Sequence, residues 1–186
     1  MFRKLLTIAT VATLCAGPLG AQSSAFTLTS PEVHAGQKIP APNVFNGMGC
    51  TGGNTSPALR WQGAPAATRS FAVTVYDPDA PTGSGWWHWV IYNVPAASTG
   101  LPAGAGDPKK GVAPAGAAQG NTDFGVPGYG GPCPPPGDKP HHYIFTVYAL
   151  NVEKLDVPAG ATAAYVGFNI HGHMIGKATF TALYGR

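Results

Sequence analysis

Glycine and proline interrupt this sequence so often that long regular helices have little room to form. Of 186 residues, 26 are glycine and 19 are proline, and both residues weaken a helix interior. Between these breaks lie short runs dense in β-branched and aromatic side chains. Ser70 to Tyr76 reads SFAVTVY, Trp87 to Tyr92 reads WHWVIY, and His141 to Leu150 reads HHYIFTVYAL. Such runs between turn residues are strand signals. With no internal repeat and no linker, the expected fold class is all-β: one domain of the sandwich kind with one or two short helices.

Along the chain, FTLT at Phe26 to Thr29 reads as a short strand, and Asn43 to Pro57 as a loop. Ala58 to Trp61 starts another strand. Ala96 to Gly120 is rich in small residues and reads as a long surface excursion. Ala159 to Ile170 is rich in alanine and predicts a short helix with Asp156 as its N-cap. Lys177 to Tyr184 alternates and predicts a final strand.

The first residues have a different character. Arg3 and Lys4 precede an uncharged, mostly apolar run from Leu5 to Ala16, and Gly20-Ala21 follows. This is the pattern of a secretory signal peptide, cut after Ala21, so that residues 1–21 are a targeting segment and 22–186 a single domain. Cys15 would leave with the peptide, and Leu14 before it departs from the small residue that a lipidated cysteine needs. The expected location is periplasmic or secreted. Cleavage also removes Arg3 and Lys4 from 11 basic residues set against 8 acidic ones. The near-neutral remainder lacks the basic patch of a nucleic-acid-binding protein. In an oxidising compartment, Cys50 and Cys133 are candidates for a disulfide. Closing a loop of that length contributes about 4 kcal/mol; the alternative is two free thiols.

Two of the few acids, Asp77 and Asp79, stand one residue apart in Asp77-Pro78-Asp79-Ala80-Pro81, where the Ser70–Tyr76 strand ends. Loops held by a rigid scaffold often carry function, although a turn that caps its own amides explains the pair equally well. Ala80-Pro81 is a candidate cis bond. A two-residue alternation places Trp86, His88 and Val90 on one strand face and Trp87, Trp89 and Ile91 on the other. It also places His141 and Tyr143 on one face, after a second proline-rich loop, with His142 on the opposite face. If the two strands are neighbours, both loops build one pocket. Protonated histidine and tyrosine hydroxyl donate hydrogen bonds, whereas carboxylates repel an anion. An anion pocket therefore needs its aspartates occupied, for instance in orienting imidazoles, and should bind more tightly as pH falls through the histidine range. The spacings of His141-His142 and His171-x-His173 do not match a helical zinc motif, and Ser84 is not in a nucleophile elbow. Neither a metal nor a cofactor is expected, and no catalytic residue is assigned.

At these residues the sequence resembles the phosphatidylethanolamine-binding proteins, in particular their bacterial Raf-kinase-inhibitor-like branch. The similar blocks run in order: Phe45-Asn46-Gly47-Met48-Gly49; Gly53-Asn54-x-Ser56-Pro57-x-Leu59-x-Trp61; Asp77-Pro78-Asp79-Ala80-Pro81; Gly85-Trp86-Trp87-His88-Trp89; Thr122-Asp123-Phe124-Gly125; Pro134-Pro135-x-Gly137; and His141-x-Tyr143. The resemblance extends from about Phe26 to the C-terminus. It implies a two-sheet β-sandwich with one or two short C-terminal helices. At one end it implies a pocket for phosphate, acetate or a phosphorylethanolamine head group, formed by Asp77, Asp79, Pro81, His88, Pro135, His141 and Tyr143.

His142 stands where this family usually has arginine, and the alternation makes that position a structural pairing partner rather than a ligand contact. Cys133 precedes Pro134-Pro135, so a bond to Cys50 would pin the Asn46–Gly53 loop beside the pocket. The function expected from the resemblance is a non-catalytic, exported protein that binds a small anion or phosphorylated head group. Two further readings are an inhibitor-like protein acting on an envelope or host partner, and a hydrolase using the aspartates and histidines as acid and base. A homodimer is the assembly these expectations admit.

Overall fold

The apolar runs between glycine and proline become strands. In the computed structural model, which describes residues 25–186, they are β1 (Thr27–Thr29), β2 (Asn46–Gly47), β3 (Cys50–Thr51), β4 (Leu59–Gln62), β5 (Ser70–Asp77), β6 (Trp86–Pro95), β7 (Gly100–Leu101), β8 (Ala118–Gln119), β9 (His141–Leu150) and β10 (Met174–Tyr184). One α-helix, α1 (Ala163–His173), precedes β10. The signal peptide read at 1–21, with Cys15, lies outside the described residues, as do the first residues of the expected domain.

Five strands form the main antiparallel sheet in the order β10-β9-β5-β6-β8, and β1-β4-β7 form a second sheet. The two face each other as a sandwich. Phe71, Val73 and Val75 of β5 pack toward Leu28, Leu59 and Trp61 of the smaller sheet. Ala72 on the other side packs with Val90, Leu150 and the α1 residues Val166 and Ile170. β5 is thus buried on both faces, which is why its sequence is almost continuously apolar. Each buried valine or phenylalanine side chain contributes about 1.5–3 kcal/mol.

The β5–β6 register shifts twice, and the shift nearer the strand end, between Val75 and Tyr76, is a β-bulge that the simple alternation misses. Val75 pairs with Trp89 and Tyr76 with Trp87, so His88 is the extra residue. The bulge turns His88 and Trp89 toward the same inner side, where His88 meets Tyr143 and Trp89 and Ile91 join the inter-sheet core. Trp87 and Val90 pack on the opposite side with α1. The expected grouping of Val90 with His88, and of Trp89 and Ile91 with Trp87, is therefore corrected. Bulges re-aim side chains near functional sites, and this one aims an imidazole.

Three other expectations change. α1 starts at Ala163, and its cap is Thr162, whose hydroxyl accepts from the Tyr165 amide at 3.2 Å. Asp156 lies too far upstream, because Gly160 at φ +76° turns the chain first. The Ala96–Gly120 excursion is tied down at both ends, by β7 against β4 and by β8 against β6. Leu101 and Ala105 within it are buried. Finally, Ala80–Pro81 is trans, like every other peptide bond among the described residues.

Candidate functional site

A cavity of about 390 Å³ opens at the end of the sandwich where β5 stops and β9 starts. β9 lies directly beside β5, and their register ends with Tyr76 opposite Ile144. This brings Asp77, the last residue of β5, to His141, the first of β9. Asp77 is 2% exposed. Its Oδ2 accepts from His141 Nδ1 at 2.8 Å, and its Oδ1 accepts from the Asp79 amide at 2.8 Å. Both oxygens of Asp77 are thus engaged, one in holding an imidazole and the other in holding a turn. His141 Nε2 lies 3.4 Å from Asp138 Oδ2, in the loop before β9.

His88 is held differently. Its Nδ1 donates to the Gly130 carbonyl at 2.7 Å, and the Gly130 amide donates back to the His88 carbonyl at 2.9 Å. Gly130 has to be glycine, because a Cβ there would lie 2.2 Å from the Phe124 ring. With Nδ1 engaged, Nε2 is the nitrogen left for a ligand. Burial pushes the His88 pKa below its ordinary value, against the opposing pull of the Gly130 bond and the Asp77 charge. The ring stands edge-on to Phe124 at 5.5 Å and to Tyr143 at 5.1 Å. Tyr143 is 1% exposed, and its hydroxyl has no hydrogen-bond partner. Burial, reinforced by the charge and the side-chain proximity of Asp77, raises its pKa beyond the usual tyrosine range and keeps the hydroxyl a neutral donor; the Asp77 carboxylate is near enough to act on it but lacks the geometry of a hydrogen bond.

Pro81 and Pro135 both line the cavity as walls. Asp79 does not line it. Its Oδ2 accepts from the His142 amide and from His142 Nδ1, both at 2.7 Å. Burial opposes its ionisation, but these two bonds outweigh that and hold its carboxyl below the usual range. Asp77 therefore orients a pocket imidazole, Asp79 orients His142 outside the pocket, and a backbone carbonyl orients His88. His142 takes up a pairing role, in keeping with its place on the opposite strand face.

Cys50 and Cys133 form a disulfide with a Cα–Cα distance of 6.0 Å. It joins β3 to the proline loop, and Cys133 and Met48 line the cavity on that side.

A family model described as phosphatidylethanolamine-binding protein matches residues 29–185. The chain belongs to the phosphatidylethanolamine-binding protein family. It is 53% identical to the UPF0098 protein YbcL of Escherichia coli over 88% of this chain and 90% of that one. The crystal structure of E. coli YbcL, described as a new member of the mammalian family, superposes with a TM-score of 0.85 over 88% of this chain and 99% of that one, at 52% identity. YbhB of E. coli is 52% identical over 84% of this chain and 98% of its own. LppC of Mycobacterium tuberculosis, named as a candidate lipoprotein, is 35% identical over 85% of this chain and 71% of its own.

In this family member, the cavity-lining residues not assigned from sequence include Trp86, Phe124 and Arg186. Trp86 and Phe124 stood inside the similar blocks without a role; they meet edge-on at 5.3 Å and form an aromatic wall. Arg186 had no motif around it. Its guanidinium reaches the cavity by donating to the carbonyls of Pro134 at 2.6 Å, Gly49 at 2.9 Å and Met48 at 3.3 Å. Only the fold brings those three segments together. Among the described residues no helix is long and apolar enough to cross a membrane.

Proposed function

We propose that this protein is an exported, non-catalytic binding module that takes a small anion or phosphorylated head group in the β5–β9 cavity. The observation that carries this reading is the Tyr143 hydroxyl, buried and without a partner on the lining of the cavity. A buried unpaired donor costs about 1–3 kcal/mol, and an acceptor brought by a ligand removes that cost. His88 Nε2, left free by the Gly130 bond, supplies the second contact when protonated. His141, fixed by Asp77, supplies the third. The Cys50–Cys133 disulfide supports an oxidising location, periplasmic or beyond, and so does the likeness to a candidate lipoprotein.

Calorimetric titration with inorganic phosphate and with phosphorylethanolamine near pH 6 tests the site. His88→Ala and His141→Ala should each weaken binding by roughly tenfold or more, the scale of a lost charged hydrogen bond. Unchanged affinity in both variants would reject the cavity as the binding site. The buried Asp77–His141 pair also has the geometry of a general base, which carries the hydrolase reading. Turnover of phosphoesters or carboxylic esters that disappears in His141→Ala would favour that reading instead.

A further inference from the structure

The size and lining of the cavity do not suit a bare inorganic ion. At about 390 Å³ it falls in the range of organic ligands. Phosphate fills the space of only a few waters, at ~30 Å³ each. Much of the remaining wall is apolar, from Met48, Trp86, Phe124 and Pro134 to Pro136.

The charges point the same way. Among the described residues lining the cavity, the ionisable groups besides Tyr143 and the disulfide-bonded Cys133 are Asp77, His88, His141 and Arg186. Asp77 brings one negative charge, and Asp138 adds a second at 3.4 Å from His141. His88 is biased to its neutral form by burial. Arg186 is then the one lining group that is cationic at any working pH. No carboxylate of the described residues pairs with it, whereas Arg69 at the surface has Glu153 at 2.7 Å. Its three recorded partners are backbone carbonyls, which orient the guanidinium without neutralising it. Three of its five N–H donors are used in this way, and two remain.

We propose that Arg186 is a ligand-binding residue that selects for an organic anion, a phosphate monoester whose acidic group meets this cation while its apolar ester group lies on the Met48, Phe124 and proline walls. This rests on the binding reading above and names its ligand class. Arg186 offsets one of the two carboxylate charges, Asp77 and Asp138, and gives an incoming anion one lasting cation on the cavity wall. The apolar walls then favour a monoester over inorganic phosphate.

The test uses the full mature chain with its disulfide, titrated calorimetrically with phenyl phosphate and with inorganic phosphate. Wild type should bind phenyl phosphate more tightly than inorganic phosphate. Arg186→Met should lose roughly tenfold in affinity for phenyl phosphate, and Arg186→Lys should recover most of it. Lysine keeps the charge but cannot reproduce the three-carbonyl fork, so a residue that merely held the wall together would not be rescued. Wild-type affinity in Arg186→Met, or a lysine variant as weak as the methionine one, overturns the assignment. If His88→Ala still weakens binding in that case, the cavity reading stands and only the role of Arg186 falls. If wild type binds neither anion, both fall.

Discussion

Tyr143 is the residue at which stability and function pull apart. Its ring packs in the inter-sheet core, while its hydroxyl is buried without a partner. Replacing it by phenylalanine keeps the ring and removes the unpaired group. Tyr143→Phe should therefore raise the melting temperature of the ligand-free protein, by the few degrees that about 1 kcal/mol produces in a domain of this size. The same variant should weaken phosphate binding several-fold. Thermal denaturation and calorimetry on one preparation check both. A lower melting temperature would mean that the hydroxyl is already satisfied in the free protein. Asp77 is a different case, because both its oxygens are engaged. It acts on the ligand through His141, and the sequence alone could only say that an aspartate beside an anion must be occupied. The partner of Asp79 was legible only in part: the alternation along β9 put His142 on the far face, but nothing in the sequence joined it to Asp79.

Among the elements, β9 was read from sequence with the bounds it has in the structure, His141–Leu150. β5 and β10 were found within a few residues at their ends. These strands carry a clear apolar or alternating pattern between breaks, and pairing only completes what the pattern states. β6 was less legible, because a bulge is a property of two strands and not of one. The extra residue at its pocket end, His88, follows from the register against β5. The start of α1 was misplaced for a related reason: alanine content spoke for helix from Ala159, and the Gly160 turn overrode it. The short β2–β3 hairpin was read as a plain loop, yet it forms one wall of the cavity. That wall is tied twice to the proline loop, by the Cys50–Cys133 bond and by the Arg186 hydrogen bonds. The covalent tie closes a separation of 83 residues. Its loss in a Cys50→Ala/Cys133→Ala double variant should cost about 4 kcal/mol in denaturant unfolding. Phosphate affinity should fall less than it does in His88→Ala, since Arg186 still holds the wall. Equal losses would place the disulfide among the groups that contact the ligand.

Over the whole molecule, the five-stranded sheet is covered on one face by the smaller sheet and on the other by α1, which leaves the strand ends to carry chemistry. The two loops that meet there were legible, one as a polar, proline-stiffened corner and the other as a rigid proline-rich loop. Arg186 and the aromatic wall were not, since they come from segments far apart in the chain. The electrostatic account of the site rests on His88. Its folded pKa is lowered by burial, so the unfolded chain binds a proton more readily than the folded one. The stability this group contributes is present above its unfolded value, near 6.5, and is lost as pH falls through that value toward the folded one. An anion that accepts from Nε2 reverses the bias by favouring the imidazolium, so binding in this way takes up a proton. The most direct measurement is nitrogen NMR of the His88 ring at pH 6.5, recorded while inorganic phosphate is added. The Nε2 resonance should move from the position of an unprotonated nitrogen toward that of a protonated one, with Nδ1 remaining protonated against Gly130. A His88 ring whose signals stay fixed at saturating phosphate would contradict the account.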